Sequence, residues 1–287
     1  APYNPVTGLG AVGERKKISI KDSPIGDMYL PVELIKENLF IRRLAKYGFK
    51  GYIIRFIKEV EYSEEALNQL WIEFIKYRII YDFEYWAYSF IFIKDKVSPK
   101  DIPFKLNRAQ RRVLNKLEKL RKAGKPIKFI LLKARQWGGS TLVQIYMLWI
   151  MLVHRRNWNT VICGDVETQS RNVRAMITKA LNKYPSYLLG ETVKFTPFEG
   201  SSKNKVIQNT NCVVSIGSFQ KPDTLRSGDI SGAHLTEIGL WRATPGKKPE
   251  DLIQSISGSI YDTAYTILGL ESTAKGVGNF FHRTWQQ

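Results

Sequence analysis

The chain has 287 residues, 44% of them hydrophobic and 24% charged, with a formal net charge of +18. That length and composition fit one large or two modest folded domains and exclude a disordered chain. An excess of positive charge opposes a compact state unless a polyanion offsets it. A nucleic-acid backbone suits that role better than an acidic membrane surface, for which no amphipathic anchor stands out; a basic protein with no dedicated polyanion is the alternative. Cys163 and Cys212 both sit in apolar runs, which predicts buried free thiols in a reducing compartment, and three scattered histidines give no zinc pattern. The longest apolar run, Leu142 to Val153, is too short to span a bilayer and contains Gln144. No basic-apolar-small signal sequence opens the chain. A soluble, intracellular protein with no membrane partner is expected.

In chain order, residues 1–30 hold Pro2, Pro5, Gly8, Gly10, Gly13, Pro24 and Gly26 and read as an extended N-terminal arm. Residues 31–98 are dense in large apolar side chains at helical spacing. The clearest helix there runs from Glu64 to Tyr77, with Leu67, Leu70, Trp71, Phe74 and Ile75 on one face, so this stretch reads as a helical subdomain. From 99 to 287 the pattern changes. Asn107 to Lys122 predicts an amphipathic helix with Val113, Leu114, Leu117 and Leu120 inward and Arg and Lys outward. Between Lys105 and Lys133 stand eleven Lys/Arg and one acid, Glu118. Such a face is either solvated or a phosphate contact. Strands then alternate with helices: 127–132, 160–163, 230–235 and 264–268 as strands, 140–153 and 167–181 as helices. A hairpin is expected at 206–216, turning through Asn209, Thr210 and Asn211. This predicts an α/β fold, a parallel sheet flanked by helices, with ligands at the carboxyl ends of the strands.

One stretch carries the strongest chemical signal. The run Ile130-Leu131-Leu132 enters a turn with Gly138 and Gly139, followed by Ser140, Thr141 and an apolar helix. That is the layout of a phosphate-binding loop, in which backbone N–H groups at a helix start point at an anion. Gly139 stands where such a loop carries its lysine. Arg135 and Lys133 are the candidate replacements. Arg135 comes first for its fixed charge and forked donors, and Lys133 second, because a side chain at the last strand position is expected to point away.

Other candidates follow the strands. Glu237 stands at a strand end, where a carboxylate facing a phosphate loop polarises water; an ordinary surface glutamate is the alternative. Thr236 precedes it in the place of a metal-linked aspartate and offers a hydroxyl without charge. Ser272 and Thr273, after the run TILGL and Glu271, either sense a terminal phosphate or cap a helix. Arg226, eleven residues before Glu237, either reaches a neighbouring subunit's nucleotide or contacts solvent or phosphate. The Gln110 amide has both a donor and an acceptor for an adenine edge. His234 reads as a packed core histidine.

Taken together, these motifs resemble the ATPase domain of the large terminase subunit of tailed bacteriophages, over about Phe104 to Trp285. The adenine motif looks like Phe104 to Gln110, the phosphate loop like Ala134-Arg135-Gln136-Trp137-Gly138-Gly139-Ser140-Thr141, the Arg-Gly segment like Arg226-Ser227-Gly228, the acidic motif like His234-Leu235-Thr236-Glu237, and the coupling motif like Glu271 to Gly276. The resemblance implies a P-loop NTPase fold of the ASCE, RecA-like kind over 99–287. It also implies an ATP- and Mg²⁺-dependent motor that translocates double-stranded DNA into a procapsid. The implied partners are the portal protein, a small terminase subunit and further copies of the chain in a ring, commonly of five. The implied location is the host cytoplasm, transiently at the portal vertex. For residues, it implies nucleotide contacts along the loop from Lys133 to Thr141, with Gln110. Ser140 would hold Mg²⁺ beside Thr236, Glu237 would activate water, Arg226 would act in trans, and Ser272 and Thr273 would couple. The acidic cluster of the family's nuclease domain is not seen in these residues, so no nuclease activity is expected of them. A helicase-like ATPase and a non-enzymatic DNA- or capsid-binding scaffold with a degenerate loop are the competing readings; the scaffold takes its support from Gly139 and Thr236.

Overall fold

The structure is a computed structural model that describes residues 2–57, 62–95, 97–225 and 229–287. Its contacts define two units, Ala1–Asn107 with Lys183–Thr192, and Arg108–Asn182 with Val193–Gln287. The boundary thus falls at Asn107, not 98, and the short segment 183–192 packs with the first unit.

In the first unit, strands β1 (Arg15–Ser19) and β2 (Asp27–Pro31) pair antiparallel. This part of the expected arm is therefore a hairpin. Alternation in β2 puts Met28 and Leu30 on one face, where they are buried with Ile20 among the helices. Helix α1 (Val32–Glu37) leads to α2 (Leu39–Phe56), whose start is capped by the Asn38 side chain accepting from Ile41 N–H, and which breaks at Gly48 (φ 72°, ψ 175°). Helix α3 (Glu64–Tyr81) is capped by Ser63 and runs one turn past the predicted end. Helix α4 (Phe83–Phe90) and the short antiparallel pair β3 (Phe92–Lys94) and β4 (Asp101–Pro103) follow. Leu34, Ile41, Leu44, Phe49, Ile53 and Phe74 form the core.

A buried charge network ties the N-terminal segment to α4. Asp82 accepts from Arg15 (2.9 and 3.0 Å) and from Arg78 Nε (3.0 Å), and the Glu84 Oε2 accepts from Val12 N–H at 2.5 Å. Burial pushes the Glu84 carboxyl up to about 7, against the hydrogen bond from Val12 and the charge of Arg15; Asp82 adds to the rise. A carboxyl raised on folding binds more protons in the native state. Stability should therefore fall as pH rises from about 4.5 to about 7, by about 3 kcal/mol at most. Glu84→Gln is expected to raise the melting temperature at pH 8 and leave it nearly unchanged at pH 5. Equal shifts at both pH values would contradict the assignment.

The second unit opens with α5 (Arg108–Lys122) and β5 (Ile127–Lys133). Helix α6 (Gly139–Trp149) follows and ends in a π turn through His154. Next come β6 (Thr160–Gly164) and α7 (Glu167–Asn182). Helix α8 (Ser186–Leu189) lies in the segment that packs with the first unit. Then come β7 (Phe195–Phe198), β8 (Ser201–Ile207), β9 (Cys212–Ser218), β10 (Gly232–Thr236), α9 (Pro249–Gly258), β11 (Ile267–Thr273) and α10 (Phe280–Gln286). The seven-stranded sheet has the order β5-β11-β10-β6-β9-β8-β7. Its first five strands are mutually parallel, and β8 and β7 add antiparallel at one edge. Ala233, Leu235, Val161 and Cys163 face a core closed by Leu252, Ile253 and Ile256 of α9 and Phe281 of α10. Helix α6 packs against β10, and α7 against β6 and β9.

Two sequence expectations change here. Arg121 does not face out: it is buried, donates twice to Glu118 at 2.8 Å and lies 5.1 Å over the Trp149 ring, while Glu118 also accepts from Tyr146. The one acid of the basic segment is thus consumed inward. Strand β11 runs through Thr273, past the predicted end, because β5 pairs with it over its whole length and β10 as far as Glu271. Both cysteines are buried free thiols. No helix among the described residues is long and apolar enough to cross a membrane.

Candidate functional site

The parallel strands bring the ends of β5, β10 and β11 side by side, and the candidate residues sit there. After Lys133 the chain turns through Gln136 (φ 61°) and Gly138 (φ 84°) into α6. The left-handed backbone at Gly138 favours glycine, and a Cβ there would stand 2.7 Å from Gln110 Nε2. At Gly139 a Cβ would stand 2.7 Å from the Trp137 ring. A lysine at 139 therefore conflicts with Trp137, which gives the missing loop lysine a steric reason. No side chain caps the start of α6, so its first N–H groups and the positive end of its dipole are free for an anion. Gln110 is buried on α5 and donates to Gly138 O at 2.9 Å, which fastens the loop to that helix.

Lys133 does not point away. Its side chain is 8% exposed, and its ammonium lies 2.8 Å from Glu237 Oε1 and 3.5 Å from Glu271 Oε1. A parallel ladder alternates its faces, and position 133 falls on the face of 271 and 273. Arg135 is exposed on the loop, as are Ala134 and Gln136.

Glu237 follows β10 in the left-handed region (φ 56°, ψ 37°), a conformation that costs a non-glycine residue energy and is held here by its contacts. Its Oε2 accepts from Thr273 Oγ1 at 3.0 Å, with Thr273 N at 3.4 Å. Ser272 faces the other way, accepting from Gly239 N–H at 2.9 Å. Thus Thr273 contacts the candidate base directly, and Ser272 braces the segment after it. A cavity of about 280 Å³ opens beside this group, lined by Ser140, Thr141, Thr236, Glu237, Gln169 and Asn172 among others. Arg226 lies outside the described residues.

Glu271 had no role of its own in the sequence reading. It is fully buried, and its Oε1 accepts from Ser140 Oγ and, at 2.7 Å, from Thr236 Oγ1. Its Oε2 has no hydrogen-bond partner and lies 3.5 Å from His234 Nε2, whose other ring nitrogen is 3.4 Å from Gln144. Burial alone would raise this carboxyl, yet His234, Lys133 and Ser140 outweigh it and hold it down at about 2. No local pattern in the sequence marks it; only the pairing of β11 with β10 makes Glu271 the register partner of Thr236.

Hard oxygen donors at a helix start fit a magnesium ion bound together with phosphates. Such an ion takes one or two protein groups and completes its shell from water and phosphate.

The sheet is a mostly parallel α/β sheet with the candidate residues at its strand ends, and the solved structures place the fold further. The structure is similar to the large terminase of bacteriophage HK97, at 21% identity and a TM-score of 0.52, over 69% of this chain and 37% of that one. The chain has the fold of a phage large terminase. It spans 37% of the length of that protein. Weaker likeness reaches the ATPase domain of a Thermus phage large terminase (13% identity, TM-score 0.39, 57% of this chain and 67% of that one). It also reaches the large terminase of a thermophilic bacteriophage in complex with ADP (13%, 0.38, 58% and 38%). These two add nothing to the fold assignment. No family model matches the chain, and no curated protein does. Within the terminase fold, the Lys133, Ser140, Glu237 and Thr273 side chains meet at the end of the parallel sheet.

Proposed function

We propose that this chain is the ATP-hydrolysing part of a viral DNA-packaging motor. The observation that carries the reading is the 2.8 Å approach of the Lys133 ammonium to the Glu237 carboxylate beside the uncapped start of α6. A cation for phosphate, a strand-end base for water and a free helix N-terminus are the parts that phosphoryl transfer to water requires. In this reading the triphosphate of ATP takes Glu237's place as partner of Lys133, and its oxygens accept from the N–H groups of Gly139, Ser140 and Thr141. Magnesium would be held at the Ser140 hydroxyl, where it neutralises phosphate charge. Glu237, released from Lys133 and steadied by Thr273, takes a proton from the attacking water. The charge of +18 and the cationic outer side of α5 suit a duplex bound through its phosphates without reading sequence.

The fold and the motif order further support work at a portal vertex in the host cytoplasm, in a ring of identical subunits with a small terminase partner. Arg226 would reach the neighbouring nucleotide. The test is ATP turnover with and without double-stranded DNA. Turnover is expected to rise with duplex and the rise to vanish at high salt. A chain that hydrolyses no ATP and binds none in Mg²⁺ would overturn the reading in favour of a scaffold.

A further inference from the structure

The loop serine and an aspartate at the end of the neighbouring strand usually share the magnesium site of a P-loop NTPase. Here the strand-end position next to Glu237 is Thr236, which has no charge. Yet the space beside Ser140 is not without a carboxylate. Strands β10 and β11 are parallel neighbours in register, Thr236 opposite Glu271, and adjacent strands lie only about 4.8 Å apart. A glutamate on β11 is one methylene longer than an aspartate, and its carboxylate reaches across to the Ser140 and Thr236 hydroxyls.

We infer that Glu271 is the metal-positioning carboxylate of this site, supplied from β11 in place of the aspartate that β10 lacks. The inference rests on the nucleotide-binding reading above. Four observations support it. Ser140, the residue that would hold the ion, already donates its hydroxyl to Glu271 Oε1. Thr236 also donates to that oxygen, so the threonine orients the carboxylate that stands in for the aspartate its own position lacks. The second oxygen, Oε2, lies 3.5 Å from His234 Nε2, so the carboxylate is held from behind with Oε1 turned to the two hydroxyls. Finally, a buried ion is costly where an apolar side chain would pack, so a fully buried carboxylate at a strand end calls for more than a packing role. The Lys133 ammonium lies 3.5 Å from the same Oε1.

The test separates metal dependence from binding itself. Affinity for ADP is measured by calorimetry in Mg²⁺ and in EDTA, with melting temperature alongside. The wild-type chain is expected to bind more tightly in Mg²⁺. Glu271→Gln, which keeps the shape and the hydroxyl partners, should shrink that Mg²⁺-to-EDTA ratio by about 10–100-fold, the usual effect of losing a carboxylate behind a metal site. Affinity in EDTA should hold. Adding Thr236→Asp to Glu271→Gln returns the charge to β10 and should restore much of the ratio. The same pair of variants, followed by the Mn²⁺ electron paramagnetic resonance signal with ADP, reads the ion directly. A Glu271→Gln variant with the wild-type ratio overturns the assignment. So does one that loses affinity equally in both buffers along with its melting temperature and is not rescued by Thr236→Asp, because that pattern marks a structural carboxylate. A wild-type chain that binds no nucleotide in either buffer overturns the functional reading itself, and this assignment with it.

Discussion

Glu237→Gln is expected to lower ATP turnover by about 10²–10⁴-fold while leaving nucleotide bound, the range by which a positioned general base contributes. The amide keeps the size of the carboxylate and an oxygen for Thr273, so the left-handed turn at 237 has no cause to collapse. It cannot take a proton from water. It also releases Lys133 from a 2.8 Å ion pair, so the ammonium becomes more available to phosphate. Affinity for ATP should therefore hold or rise while hydrolysis disappears. Equilibrium binding paired with single-turnover hydrolysis reads both quantities. Hydrolysis at the wild-type rate would remove Glu237 from its role and leave Asp165, at the end of the adjacent β6, as the next carboxylate to consider.

Lys133→Ala is expected to weaken ATP binding by about 10–100-fold. A hydrogen bond to a charged group contributes about 1.5–3 kcal/mol, and each 1.4 kcal/mol is a factor of ten. Arg135→Ala should cost far less. The two differ in setting. The Lys133 ammonium is largely desolvated between two carboxylates, so its charge is little screened. The Arg135 side chain is exposed on the loop, where water and salt weaken a charge contact. Lys133→Ala also leaves Glu237 and Glu271 without their shared cation, and both then repel phosphate. Lys133→Arg separates the terms: it keeps the charge, and if affinity returns the loss was electrostatic. A larger loss for Arg135→Ala than for Lys133→Ala would make the loop arginine the phosphate cation instead.

The readings from sequence held where the signal was local. The alternation of buried strands and helices, the glycine turn before an apolar helix, and the hydroxyl and carboxylate residues just after or at strand ends are all written in short stretches of chain. Their physical basis is backbone sterics and side-chain period, which need no knowledge of distant neighbours. The expectations that changed were those that depended on pairing. Pro and Gly between residues 1 and 30 suggested an extended arm, whereas residues 15–31 pair as a hairpin with turns around it. That pairing is fixed by the burial of Met28 and Leu30 among the helices, which composition alone does not reveal.

The site itself divides along the same line. By itself, the sequence determined an α/β chain with a strong positive charge, a phosphate loop lacking its lysine, and the set of side chains from which a nucleotide site could be drawn. Tertiary structure decided which of them meet. Lys133 faces inward because β5 pairs in register with β11, Glu271 stands beside Thr236 because β11 lies next to β10, and Trp137 fills the space a lysine at 139 would need. Register and strand order are set by pairing between strands that lie 35 positions apart (Thr236 and Glu271) to 140 apart (Lys133 and Thr273), and no local pattern encodes them.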